Sequence, residues 1–449
     1  MKNIIYPQRE IKVVGEYDVI IAGGGTAGAF AGIAAAREGL KTLIIEQFGS
    51  LGGSATVGMV TPLMPSYLKE KSGFCPLTIE VLAKMREVGG SDISDTWFDP
   101  TMLKCVLEDM AIESGADIMY HTTFVDAIKD GQRVTHLIVN NKDGLTAYAA
   151  RYFIDCSGDA DVAIMAGAQH ESGDANGVNQ PLSLRFEVAG IEYEKFYAYL
   201  ESIGQNPAKY FAMNTRGMEE LFRKAHEDGL LSDQDASYIQ GFGLPGKADS
   251  MSFNCPELTP QKNIVDAKFF TKKQIEGKKA ILRIRRFLRE RIPGFENCYI
   301  SEIAGMVGIR ESRRIKAEYI MTIYDVVGYK KFDDAVTESH YPVDVHGPDY
   351  LTLLGETKYD ADVPPAERYW EVPFKCMIPL GIDNMLVAGR CAGFDFVAQS
   401  AARIQIICRA MGEAAGRGTA LASKNNAAYR DIDYSVLKNK LIVPYNPGS

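Results

Sequence analysis

The chain has few of the residues with which a protein builds a redox or hydrolytic centre of its own. Its eight cysteines (Cys75, Cys105, Cys156, Cys255, Cys298, Cys376, Cys391 and Cys408) show no CxxC and no Cys/His ligand spacing. That pattern supports no metal site, iron–sulfur cluster or redox dithiol. Reduced thiols and a cytoplasmic setting are expected. The six histidines include no HExxH, and no GxSxG elbow occurs, so metallohydrolase and serine acyl-transfer chemistry have no motif here. Basic residues are outnumbered: 49 Lys and Arg against 58 Asp and Glu give a net charge of −9. That sign argues against nucleic acid as a partner. Val19–Ala36 is apolar enough to suggest a leader or membrane span, but glycines interrupt it, and no membrane association is expected. With so few reactive groups of its own, the chain is expected to depend on a cofactor.

What is present is the stretch Tyr17–Glu46, YDVIIAGGGTAGAFAGIAAAREGLKTLIIE. It reads as strand, glycine turn, helix and a second strand ending in an acid, the unit that binds the ADP half of a dinucleotide. Gly23 permits the tight turn, Gly25 lets the backbone approach a pyrophosphate, and Gly28 lets helix and strand pack closely. The helix N-terminus then faces the phosphates. Glu46, eighteen residues after Gly28, is placed to bond the ribose hydroxyls. Gly241, Gly243 and Gly246 in GFGLPG match the same glycine spacing, but Pro245 and the following KADSMSFN predict a loop entering a strand.

The 449 residues, 46% hydrophobic, suffice for two or three lobes. Asp99 is expected to cap a helix from Pro100 to about Ser114. Asp130-Gly131 and Asp143-Gly144 divide Phe124–Lys129, Arg133–Asn140 and Leu145–Ile154 into a three-stranded β-meander. Lys272–Arg291 carries nine basic residues on an expected helix with Ile281, Ile284, Leu288 and Ile292 on its apolar side. The fold class is α/β: a Rossmann-like domain with the meander, from residues 1–176 and 370–449, around an inserted α+β substrate domain at 177–369. Ala401–Leu421 is expected to be one helix of the first domain.

With these segments in view, the chain resembles the FAD-dependent oxidoreductases of the glutathione-reductase-like flavoprotein superfamily. The likeness rests on GGGTAGAFAGIAAAREGLKTLIIEQFGSLGGSAT, FIDCSGDADVA, IPGFENCYI, GIRESRRIKAEYIMT and NMLVAGRCAGFDFVAQSAARIQIICRAMGEAAG, and covers nearly the whole length. The resemblance implies FAD as cofactor. It places Gly23, Gly25, Thr26, Ala27 and Gly28 at the pyrophosphate, and Glu46 with Gln47 at the ribose. Gly52, Gly53 and Ser54 continue along the cofactor. Val125 meets adenine through its backbone, Ser157, Gly158 and Asp159 form a turn beside the dinucleotide, and Gly389 and Arg390 lie by the ribityl phosphate. Arg403 and Ile404, at a helix start, face the flavin edge that becomes negative on reduction. Phe396 stands where many members carry His. No histidine lies near Gly52–Thr56 to attach FAD, so noncovalent binding is expected.

The candidate catalytic residues are Arg310, Arg313 and His346. Arg310, Arg313 and Arg314 stand at i, i+3 and i+4, and on a helix would form a fork for a carboxylate or phosphate; alternatively they pair with Glu302, Glu311 and Glu318. His346, with Asp344 to orient it, suits a base that takes a proton as hydride leaves an adjoining carbon; the alternative is a structural loop histidine. Tyr341, Tyr350, Tyr369 and Trp370 line a pocket or simply pack. The expected activity is hydride removal from a sugar, polyol, hydroxy acid or amine, with an unidentified electron acceptor. The alternatives are reduction of an unsaturated acid and an electron-transfer subunit. Oligomeric state is not encoded in any visible pattern.

Overall fold

The computed structural model describes residues 4, 8–64, 75–92, 96–205, 216–236, 239–259, 261–346 and 359–441. Its largest sheet has seven strands. β1 (Val13–Ala22) lies between β2 (Thr42–Ile45) and β6 (Gly144–Asp155), parallel to both, and β3 (Asp117–Met119) extends the sheet past β2. The first half of β6 pairs with antiparallel β5 (Arg133–Asn141), which carries β4 (Thr123–Asp130). Its second half pairs with the parallel strand Met385–Val387. The nucleotide sheet and the expected meander are therefore one sheet that shares β6.

Register makes the carboxyl ends of these strands level. Ala22 is opposite Ile45 on one side and Asp155 on the other, and Asp155 is opposite Val387. The chain leaves the strands at Gly23, Glu46, Cys156 and Ala388, so four loops converge where open α/β sheets hold their ligands.

The helix α1 (Thr26–Arg37) is buried from Ala27 to Ala36 between the sheet and the helix Gln405–Asn425. Small residues allow this. A Cβ on Gly412 would lie 2.1 Å from the Ala27 carbonyl oxygen, and one on Gly416 2.4 Å from that of Ala31. Larger residues would force the backbones apart, at about 1–3 kcal/mol each. Phe30 and Ile33, both buried, contribute about 1.5–3 kcal/mol apiece.

A second core surrounds a four-stranded antiparallel sheet, in the order Gly241–Leu244, Lys247–Phe253, Phe186–Ala189 and Tyr299–Ile303. GFGLPG is thus a strand and hairpin turn, as its proline and sequel suggest. The helix Ala267–Arg291, capped by Asp266 at the Phe269 N–H, buries Ile281, Ile284 and Leu288 in this core and leaves most of its basic residues exposed. Within 177–369, Leu182 to Val307 supply this core, whereas Ile315, Met321, Val336 and Val345 pack with the nucleotide sheet.

The expected single helix over Ala401–Leu421 is two helices, Phe396–Ala402 and Gln405–Asn425. Ile404 has extended backbone (φ −64°, ψ 151°), and Arg403 before it is held by Asp344. No helix among the described residues is long and apolar enough to cross a membrane.

Candidate active site

One cavity of about 980 Å³ spans the four loops and the second sheet, at the upper end of the range for ligand sites. At its nucleotide end, Gly23 turns with φ +94°, a conformation that favours glycine. Gly25, Thr26 and Ala27 follow on the wall. Thr26 ties two loops together: its Oγ1 donates to the Gly52 carbonyl at 3.1 Å and lies 2.9 Å from Ser54 Oγ.

Side-chain capping is uneven among the helices, and Cys75, Ala160 and Glu192 provide none. Asp99, Asp266 and Asp395 each accept a backbone N–H at the start of their helices. The N-caps of α1 and of Gln405–Asn425, Gly25 and Ile404, provide no side-chain cap. Both helix starts line the cavity, presenting N–H groups and positive dipole ends suited to phosphate or flavin oxygens. Arg390 and Arg403 also line it, and the Nε of each is buried without a hydrogen-bond partner among the described residues. An elongated, anionic dinucleotide fits this donor set.

Glu46 and Gln47 lie on the wall. The Glu46 oxygens accept N–H groups of Gly24 and Phe48 at 2.8 and 2.9 Å, and each oxygen retains capacity for a hydroxyl. Burial raises this carboxyl above its usual range despite those bonds. Gly53, Ser54, Ser157, Gly158, Asp159, Gly389 and Ile404 also line the cavity. Three expected residues do not. Gly28 packs against the Gly23 carbonyl, where a Cβ would lie 1.8 Å away. Gly52 contributes its carbonyl to Thr26. Val125 is exposed, and Thr123 and Phe124 supply that stretch of wall.

The arginines do not form a helical fork. Arg313–Ile315 is a strand paired with His170–Ser172, and neighbouring strand residues face opposite ways. Arg313 binds the Asp159 carbonyl at 2.7 Å and the Asp161 carboxylate, so it supports two lining residues without lining the cavity itself. Arg314 pairs with Glu311 and donates to the Gly173 carbonyl. Arg310 alone of the three lines the cavity, donating to the Pro181 carbonyl at 2.7 Å with Glu257 at 3.7 Å.

His346 is on the wall between two carboxylates: Nδ1 is 3.0 Å from Glu257 Oε1, and Nε2 is 3.5 Å from Asp344 Oδ1. Arg403 donates to both the carbonyl and carboxylate of Asp344 at 2.9 Å, and Tyr341 Oη donates to the carboxylate at 3.1 Å. Burial alone would raise the Asp344 carboxyl, but Arg403, His346 and Arg310 outweigh it and hold it at about 2. Glu257 is lowered too, as His346 and Arg310 overcome its burial. The result is a chain of alternating groups, Arg310–Glu257–His346–Asp344–Arg403, ending beside the uncapped helix at Gln405. Sequence reasoning missed Glu257, which no motif marks, and Arg185, which lines the cavity and is 2% exposed. An arginine inside the apolar run LSLRFEV was a readable signal. Of the four aromatics, Tyr341 lines the cavity, Trp370 is buried and donates to the Tyr341 carbonyl, Tyr369 stacks on His340, and Tyr350 lies outside the described residues.

The fold and this cavity define a dinucleotide-dependent oxidoreductase. The chain belongs to the FAD dependent oxidoreductase family, whose model matches residues 18–441; FAD is its cofactor. Thiamine thiazole synthase of Methanococcus aeolicus is 32% identical over 167 residues, which cover 35% of this chain and 60% of that protein, less than two thirds of its length. A geranylgeranyl bacteriochlorophyll reductase-like structure from Thermoplasma acidophilum is 14% identical, covering 95% of this chain and 82% of that one, with a TM-score of 0.44. The myxobacterial chondrochloren halogenase, an FAD-dependent halogenase, is 12% identical over 93% of this chain and 77% of its own, with a TM-score of 0.47.

Proposed function

We propose that the protein is a dehydrogenase that removes hydride from a polar small molecule, with His346 as the base. The observation that carries the reading is His346 on the cavity wall, held by Glu257 and near the start of Gln405–Asn425. Bound in the cavity, FAD supplies the two-electron acceptor for a substrate C–H hydride. The chain's own task is the proton. With Nδ1 against Glu257 and Nε2 3.5 Å from Asp344, the neutral ring keeps one unprotonated nitrogen, able to take the proton from a substrate O–H or N–H as the C=O or C=N forms. Arg403 and the N–H groups from Gln405 onward stabilise negative charge that develops nearby. The segments Gly23–Ala27 and Arg403–Gln405 would hold the cofactor noncovalently. The eight cysteines are all free, which suits a cytoplasmic enzyme.

The test is anaerobic absorbance of the purified holoprotein during titration with sugars, polyols, hydroxy acids and amines, and separately with NADH and NADPH. Bleaching of the flavin band by an organic substrate, slowed about 10²-fold or more in His346→Gln, is the expected result. Bleaching by nicotinamide alone would overturn the dehydrogenase reading.

A further inference from the structure

We propose that the substrate end of the cavity is an oxyanion subsite, with Arg185 gripping a carboxylate or phosphate of the substrate. The inference rests on the dehydrogenase reading and narrows its substrates to acids. Arg185 stands between the strands Leu182–Ser183 and Phe186–Ala189, flanked by the buried core residues Leu184 and Phe186. Its carbonyl accepts the Ala304 N–H at 2.9 Å, which fixes the backbone and gives the side chain a defined origin on the wall. Its guanidinium lies over the Phe242 ring, 5.3 Å from the centroid. This cation–π contact restrains the guanidinium, whose planar fork suits two parallel bonds to an oxyanion.

The charges around it point the same way. Apart from the nucleotide loops with their Glu46, Asp159 and Asp161, and from the Arg403–Asp344 pair, the charged side chains on the wall are Arg185, Lys278 and Arg310. Asp344 is already bound to Arg403, and Glu257 lies behind His346 and Arg310 rather than on the wall. This end is therefore cationic in a protein of net charge −9. Such a concentration of one sign attracts anions and raises their local concentration, and it opposes a cationic amine. Neutral donors from Gln240 and Asn254 also border the space, and Lys278 is exposed at its edge. Arg310 is the second guanidinium on the wall, on the side of His346. An acid held by Arg185 thus shares one cavity with the proposed base.

The experiment uses FAD-loaded enzyme, so that the pyrophosphate site is filled, and follows the flavin spectrum with acetate and inorganic phosphate as non-oxidisable probes. Saturable perturbation by one of them is expected, and which one identifies carboxylate or phosphate as the recognised group. Arg185→Gln with normal FAD content should bind that probe at least tenfold more weakly. Arg185→Lys, which keeps charge but loses the fork, should fall between. A comparison that needs no variant is wild-type reduction by a 2-hydroxy acid against its amide, where the acid should have at least tenfold higher kcat/KM. The proposal is overturned if neither probe perturbs the flavin, if Arg185→Gln binds as tightly as wild type, or if the amide matches the acid. Probe binding without reduction by any organic compound would retain the subsite and remove the dehydrogenase reading; reduction by a neutral polyol without probe binding would do the reverse.

Discussion

Two glycines three residues apart separate cofactor binding from folding. A Cβ on Gly25 meets nothing closer than Gly53 Cα at 3.8 Å, and Gly25 has φ −69°, which alanine adopts without strain. Gly25→Ala gains about 0.4–1 kcal/mol from a less flexible unfolded chain and loses a similar amount as a poorer N-cap. The apoprotein should therefore keep its stability within about 1 kcal/mol. The added methyl occupies the wall where α1 presents its first N–H groups, and each lost bond to a charged phosphate costs about 1.5–3 kcal/mol. FAD affinity should fall about 10- to 150-fold per bond. Gly28→Ala behaves differently. Its Cβ would lie 1.8 Å from the Gly23 carbonyl oxygen, so turn and helix must separate by more than about 1 Å, at a cost of about 3 kcal/mol or more. That variant should lose both apoprotein stability and FAD binding. The assays are urea unfolding of the stripped proteins and FAD titration by fluorescence quenching. Wild-type FAD affinity in Gly25→Ala, or equal destabilisation of the two apoproteins, would refute the placement of the pyrophosphate.

Asp344 gives a pH prediction with a defined sign. Its folded carboxyl titrates at about 2 against 3.8 ordinarily, so it stabilises the fold above pH 4 and loses that contribution as pH falls towards 2. The full shift is worth about 2 kcal/mol, discounted to about 1–2 kcal/mol because the side chain is 27% exposed. Asp344→Asn should flatten urea stability between pH 4 and 2 by that amount and lower it at pH 7, where Arg403 loses its partner; an unchanged acid slope would contradict the network. Removal of FAD should lower the thermal midpoint, and adding it back at 100 times its Kd should restore about 2.7 kcal/mol. A midpoint independent of FAD concentration would mean that the cofactor does not hold the four loops together.

The nucleotide end was readable in sequence because its determinants are local. Gly23, Gly25 and Glu46 sit at the ends of β1 and β2 or at the start of α1, and strand register brings those ends level. The break at Arg403-Ile404 was not readable, since VAQSAARIQIICRAM, residues 397–411, contains no Gly or Pro to mark it. What interrupts the helix is a tertiary bond from Arg403 to Asp344, 59 residues away. The arginine fork failed for a related reason. Spacing of i, i+3 and i+4 gathers side chains only if the backbone is helical, and pairing of Arg313–Ile315 with His170–Ser172 made it a strand.

The proton-handling network draws on still more distant parts of the chain. Glu257 reaches His346 across 89 residues of sequence, from the short strand Glu257–Leu258 paired with Leu182–Ser183, and Arg310 comes from a third segment. No short motif can encode such a meeting, so the sequence displayed the glycine-turn loops at the strand ends more fully than the cluster around His346. Arg403 joins the two. It holds Asp344 in the network and stands two residues before the uncapped helix Gln405–Asn425. Loss of its carboxylate partner should therefore loosen both the support of His346 and the helix start on the cavity wall, so the proposed proton-handling and cofactor-facing roles would be coupled through one ion pair rather than through the fold as a whole.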